Sequence, residues 1–230
     1  MVTETRSHRP FGVEIESYLI PSQASIPRES IQHWQETTDG SIHPDEIEEE
    51  VTEIVEWRSP PFVGDAGLEA LRRDVQKIRD MGFRTNRTCG VHVHCDVSDT
   101  TKEERQALLR FGVWIENDIY SFVAPSRREV PYARPLSESG GSGNARYKWL
   151  NAEPSFERHK TVELRLFSGT TTPDVVVESV KLSLRIVERG LRLGMLAEKP
   201  QGDVFKLLGL TKFEKDYWSE TIERFARRPR

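Results

Sequence analysis

A chain of 230 residues is long enough to bury a core of its own, and with 36% hydrophobic against 30% charged residues much of its charge is either solvated surface or a polar site. A net charge of -4 excludes a protein that coats nucleic acid through basic excess, so no nucleic-acid partner is expected. The opening MVTETRSHRPFG has no apolar run of signal-peptide length, and no stretch approaches the roughly 20 apolar residues of a membrane span, so the expectation is a cytoplasmic protein without a membrane partner.

In chain order, FGVEIESYL reads as a strand, with Phe11, Val13 and Ile15 on one face and Glu14 and Glu16 on the other. IVEWRSPP alternates in the same way, Val55 and Trp57 opposing Glu56 and Arg58. DAGLEALRRDVQKIRDMG has the helical stripe Leu68, Leu71, Val75, Ile78, with Asp65 as N-cap and Gly82 as the stop. CGVHVHCD is a strand that puts His92, His94 and Asp96 on one face and Val91, Val93, Cys95 and Val97 on the other. On such a strand Cys89 and Cys95 stand about 20 Å apart, beyond disulfide reach, so both are read as reduced, core-facing thiols.

The helix of TTKEERQALLRFGVWIENDIYSFV carries the stripe Leu108, Phe111, Ile115, Ile119, Phe122, and Thr100 with Glu103 fits a capping box. Residues 124–147 are rich in Pro, Gly, Ser and Arg without a period, and read as a surface loop or a mobile lid. TVELRLF is a strand with Val162, Leu164 and Leu166 opposite Glu163 and Arg165. A helix begins at Thr172 and Pro173 and buries Val176, Val180, Leu184, Val187 and Leu191; a last one covers KFEKDYWSETIERFA with Trp218, Ile222 and Phe225 inward. The pattern predicts one α+β domain over 1–230, an antiparallel or mixed sheet with a polar catalytic face and helices packed on its other face.

If those strands share a sheet, the polar face gathers Glu14, Glu16, Glu56, Glu163, His92, His94, Arg58 and Arg165. Carboxylates drawn together in a cleft repel one another, and each one left ionised without a partner is costly, so a cation is expected among them. Oxygen ligands suit Mg²⁺ or Mn²⁺, and arginine beside a divalent metal is an apparatus for phosphate oxygens. Taken singly each pattern has a plain alternative: EIE a solvated sheet face, VELR a surface ion pair. The shared parity of four strands favours a site.

The motifs FGVEIE, DGSI (Asp39 to Ile42), EWRSPP, CGVHVHCD and TVELRLFSGT, in that order from Phe11 to Thr170, resemble the amidoligase family, carboxylate-amine ligases related to glutamine synthetase and glutamate-cysteine ligase. The resemblance implies a glutamine-synthetase-like sheet that binds ATP and Mg²⁺ or Mn²⁺ on its polar face. It implies metal ligation by Glu14, Glu16, Glu56, His92 and Glu163, with Glu14 and Glu16 on two different metals. His94 is assigned to the nucleotide phosphates or substrate, and Arg165 to the phosphoryl group in flight; catalysis falls to Arg165, Glu56 and His94. Arg146 and Lys148 in NARYKWLN are candidates for ATP or a substrate carboxylate, or are solvated surface. The absence of a Walker GxxxxGK(S/T) motif agrees with phosphates held by metals and a sheet face.

The implied reaction is ATP-dependent amide formation through an acyl phosphate, on an amino acid, peptide or protein substrate. Trp57 and Arg58 replace the aliphatic residues more usual beside Glu56, so a pocket of altered size and charge is expected there. Oligomerisation with further copies of the chain stays open. Two other classes compete: a hydrolase using HVH around Zn²⁺, active without ATP, and a catalytically silent binding module of the same fold.

Overall fold

The structure is a computed structural model that describes residues 8–31, 33–38, 40, 42, 51, 53–128, 130–138 and 146–227. Among these lie seven strands and six α-helices: β1 (Phe11–Leu19), β2 (Gln35–Thr37), β3 (Glu53–Arg58), α1 (Gly64–Asp80), β4 (Phe83–Arg84), β5 (Gly90–Asp96), α2 (Lys102–Ile119), β6 (Leu150–Asn151), α3 (Glu153–His159), β7 (Thr161–Ser168), α4 (Pro173–Leu193), α5 (Val204–Leu208) and α6 (Lys212–Ala226). The class is α+β, as the sequence predicts, and strand pairs β1–β3, β1–β4, β2–β3 and β6–β7 are antiparallel. The chain divides into two compact units, Met1–His94 with Ser168–Val180 and Cys95–Phe167 with Lys181–Arg230. Neither is one continuous stretch, so composition along the chain offers no boundary to find.

In the first unit the strands run in the order β2-β3-β1-β5, with β4 also on β1. Alternation does what period 2 dictates: Phe11, Val13, Ile15, Val55, Trp57, Val91 and Val93 are all buried, as are Leu71, Val75 and Ile78 of α1. Trp57 meets Phe83 edge to face, with ring centroids 5.0 Å apart. It therefore fills the core, and of Trp57 and Arg58 only Arg58 shares the strand face of Glu56. Helix α1 starts one residue before the expected Asp65 cap: Val63 is the N-cap, and Asp65 sits in the first turn, where its charge still favours the helix N-terminus. Gly82 ends the turn after α1 at φ +91°, and a Cβ there would lie 2.7 Å from the carbonyl oxygen of Ile20. Of the DGSI motif, Asp39 and Ser41 lie outside the described residues, while Ile42 is buried with Tyr18, Ile20 and Cys89. Cys89 and Cys95 are both buried free thiols.

In the second unit β6 pairs with β7, and the stripe Leu108, Phe111, Ile115, Ile119 and Phe122 is buried. The capping box of α2 is Thr101 with Glu104, one residue beyond the expected pair. TTKEE contains both registers, and Thr100 is committed elsewhere, its Oγ1 donating to the carbonyl of Val97 at 2.7 Å. In α6 Trp218 is buried as expected, but Ile222 and Phe225 are only half-buried and Thr221 is the buried residue of that turn. Trp218 packs on Phe122, with centroids 5.3 Å apart. The long loop is partly tied down: the backbone amides of Leu136 and Ser137 donate to the buried Glu116 carboxylate, and Tyr120 Oη donates to the carbonyl of Ala133. Within the expected lid, residues 129 and 139–145 lie outside the described residues. Among the described residues no helix is long and apolar enough to cross a membrane.

Candidate active site

The β1–β3 register sets Glu16 directly opposite Glu56 and Glu14 directly opposite Arg58. Glu16 and Glu56 are buried at 4% and 5% exposure, and His92 of β5 at 2%. Each of the three offers a ligand atom, and these atoms lie within 4.8 Å of one another. Two carboxylates and an imidazole nitrogen form a donor set that fits Mg²⁺ or Mn²⁺. Like charges placed directly across a strand pair are unfavourable by themselves, which strengthens the fit to a cation.

The second oxygen of each acid has its own partner. Glu16 Oε2 accepts from the backbone amide of Gly90, leaving Oε1 3.7 Å from His92 Nε2. Glu56 Oε1 accepts from Thr37 Oγ1 at 3.0 Å and from Arg58 Nε at 2.6 Å. Burial pushes the Glu56 carboxyl above its ordinary range and the Glu14 charge adds to this, while Arg58 and Thr37 pull the other way.

Glu14 has the opposite balance. Burial disfavours its charge, but hydrogen bonds with His92 and His94 outweigh that and hold the carboxyl far below the usual range. Its Oε2 lies 3.3 Å from His92 Nδ1 and its Oε1 3.5 Å from His94 Nε2. An ionised carboxylate only accepts, so a neutral His92 ring carries its proton on Nδ1 and turns its Nε2 lone pair toward Glu16. A carboxylate behind an imidazole is a common way to orient a metal-binding histidine.

The remaining predicted residues belong to the second unit. Glu163 is buried on β7, opposite Asn151 on β6. Its Oε2 accepts from Asn151 Nδ2 at 2.7 Å, and its Oε1 from Arg165 Nη1. Arg165 is fixed further by donation from Nε to the carbonyl of Tyr132 at 2.9 Å, and its own carbonyl accepts from the buried Arg127 at 2.9 Å. The Glu163–Arg165 pair is thus a fixed, largely buried unit, with side-chain exposures of 7% and 15%, unlike a surface ion pair. Lys148 points its Nζ at the carbonyls of Pro135 and Glu138, both at 2.7 Å, an anchor for the loop. Arg146 is exposed and stacks on Tyr147 at 4.9 Å.

Thr37 and Asn151, which orient Glu56 and Glu163, escape a reading by periodicity. They lie on strands of three and two residues, too short for an alternation to register.

Residues 5–140 match a family model described as "Putative amidoligase enzyme". That span covers more than half of the 230 residues and contains Glu14, Glu16, Glu56, His92 and His94, while Asn151, Glu163 and Arg165 lie beyond it. No curated protein sequence matches the chain. With most of the chain, including the buried acid and histidine cluster, inside that match, the protein belongs to the amidoligase family.

Proposed function

We propose that this protein is an ATP-dependent carboxylate-amine ligase with a glutamine-synthetase-like catalytic sheet, joining an amino acid or a peptide or protein side chain to an amine through an acyl phosphate. The observation that carries the reading is the convergence of Glu16, Glu56 and His92, buried and within 4.8 Å, in a chain of the amidoligase family. A cytoplasmic setting, where ATP and Mg²⁺ are at hand, suits this chemistry.

A carboxylate is a poor electrophile in water and needs activation. Its oxygen attacks the γ-phosphorus of ATP, the bond to the β–γ bridging oxygen breaks, and ADP leaves. The amine then attacks the acyl carbon, inorganic phosphate departs and the amine nitrogen loses its proton. Glu16, Glu56 and His92 would hold Mg²⁺ or Mn²⁺, and Glu14 and Glu163 would serve as further ligands. A divalent metal held by these residues would supply neutralisation of the triphosphate charge. Glu14 orients the His92 ring, and His94, on the same strand face, meets phosphate or substrate oxygens. Arg165, held rigid by Glu163 and the Tyr132 carbonyl, stabilises the charge on the transferred phosphoryl group, a positioned cation that needs no reorganisation.

Calorimetric titration of ATP with Mg²⁺ or Mn²⁺, repeated in EDTA, tests the reading. Metal-dependent ATP binding is expected, and turnover to ADP with amino-acid pairs is expected to vanish in Glu16→Ala and Arg165→Ala while both variants stay folded. Nucleotide binding indifferent to metal, or full turnover in both variants, refutes it.

A further inference from the structure

Arg58 is the one residue of the acid cluster with no part in the reaction above, and its position is specific. It follows Glu56 by two residues on β3 and so shares its face, and its register partner across β1 is Glu14. Its guanidinium touches both acids: Nη2 is 2.6 Å from Glu56 Oε1, and Nε is 3.4 Å from Glu14 Oε1. A single positive charge is thereby shared between two of the carboxylates that a divalent cation needs. The side chain is 46% exposed, against 6% for Glu56 and 20% for Glu14, so it has solvent to move into. Glu56 keeps an orienting partner without it, because Thr37 Oγ1 donates to the same oxygen.

We infer that Arg58 is a tethered competitor for the metal. It neutralises the Glu14 and Glu56 carboxylates while no divalent cation is bound, and its guanidinium withdraws toward solvent when one enters. This rests on the metal-binding reading of the cluster. Two consequences follow from charge alone: the acids are compensated in the metal-free protein, which keeps the strands paired, and metal affinity is set lower than the ligand set by itself would give. The cation that enters must outbid a guanidinium already on site, which favours a doubly charged ion over Na⁺ or K⁺.

The test is Mn²⁺ binding to the metal-free full chain, followed by electron paramagnetic resonance of free Mn²⁺, in wild type, Arg58→Gln and Arg58→Lys, with folding verified by circular dichroism. Arg58→Gln is expected to bind Mn²⁺ about tenfold more tightly than wild type, and Arg58→Lys, which keeps the charge, to remain within about threefold of wild type. If Arg58→Gln binds Mn²⁺ as weakly as wild type or more weakly, Arg58 is a support for Glu56 and the inference is overturned while the metal site stands. If none of the three proteins binds Mn²⁺, the metal reading itself fails and takes this inference with it.

Discussion

Glu16 and Glu56 face each other across adjacent strands, both buried, with their carboxylates turned to the same side as the His92 ring. Two buried acids at one register position work against folding unless positive charge reaches them. Arg58 brings such charge to Glu56, which it contacts directly. The cost of this arrangement to stability can be measured.

Glu56→Gln isolates the cost. Glu56 has its pKa raised above the ordinary 4.5 by burial and then by Glu14, so its ionised form is disfavoured in the fold. For an acid with a raised folded pKa, the penalty is absent below 4.5 and present in full above the folded value. Thermal melts in EDTA are therefore expected to show Glu56→Gln a few degrees more stable than wild type at pH 8, with the gap closing as pH falls toward the ordinary carboxyl range. The same variant is expected to lose Mn²⁺ binding. A variant less stable than wild type at pH 8 contradicts the account.

His92 and its supporting acid separate ligand from orienter. Removing the imidazole in His92→Ala is expected to weaken Mn²⁺ binding by roughly a hundredfold or more. Glu14→Gln, which keeps the shape but not the charge that fixes the ring, is expected to weaken it by about 10–100-fold. His94→Ala is expected to change metal affinity least and nucleotide affinity most. Calorimetry with Mn²⁺ alone and then with ATP ranks the three, and an unchanged Mn²⁺ affinity in His92→Ala removes that histidine from the site.

Glu116 tests the packing of the second unit. Its buried carboxylate accepts from the Leu136 and Ser137 amides, from Ser137 Oγ and from Trp149 Nε1 at 2.8 Å. Glu116→Ala strands several buried donors, at a cost of about 3 kcal/mol or more. At roughly 2–4 °C per kcal/mol for a chain of this size, a loss of about 6–12 °C in Tm is expected. Limited proteolysis is expected to cut the 131–138 segment faster in this variant, and equal protection would show that the carboxylate does not anchor it.

Glu214, at the start of α6, gives a pH-dependent contribution to stability that involves none of the candidate site residues. Partial burial opposes its charge, but the amide and hydroxyl of the Thr211 cap, and then Arg185, outweigh that and lower its pKa below the ordinary 4.5. A lowered folded pKa contributes stability that is present above 4.5 and lost as pH falls through the folded value. Glu214→Ala is expected to cost about 1 kcal/mol at pH 7 through the broken capping box. The difference from wild type should shrink in melts at progressively lower pH; a difference that is constant or grows toward acid excludes this ionisation as its source.

The sequence by itself determined which side chains share a strand face. Period 2 puts Glu14 with Glu16, and His92 with His94, and the buried valines and isoleucine between them leave no other reading; period 3.6 fixes the buried stripes of α1 and α2 in the same way. These are local properties of the backbone. Tertiary structure decided what local pattern cannot contain. The pairing register places Glu16 opposite Glu56 and Glu14 opposite Arg58, and a slip of one residue on β3 would turn Glu56 into the core and Trp57 out of it. Likewise Thr37 and Asn151 acquire their roles from the strands beside them, and Lys148 meets the carbonyls of Pro135 and Glu138. Alternation says which way a side chain points; only pairing between distant segments says what it meets there.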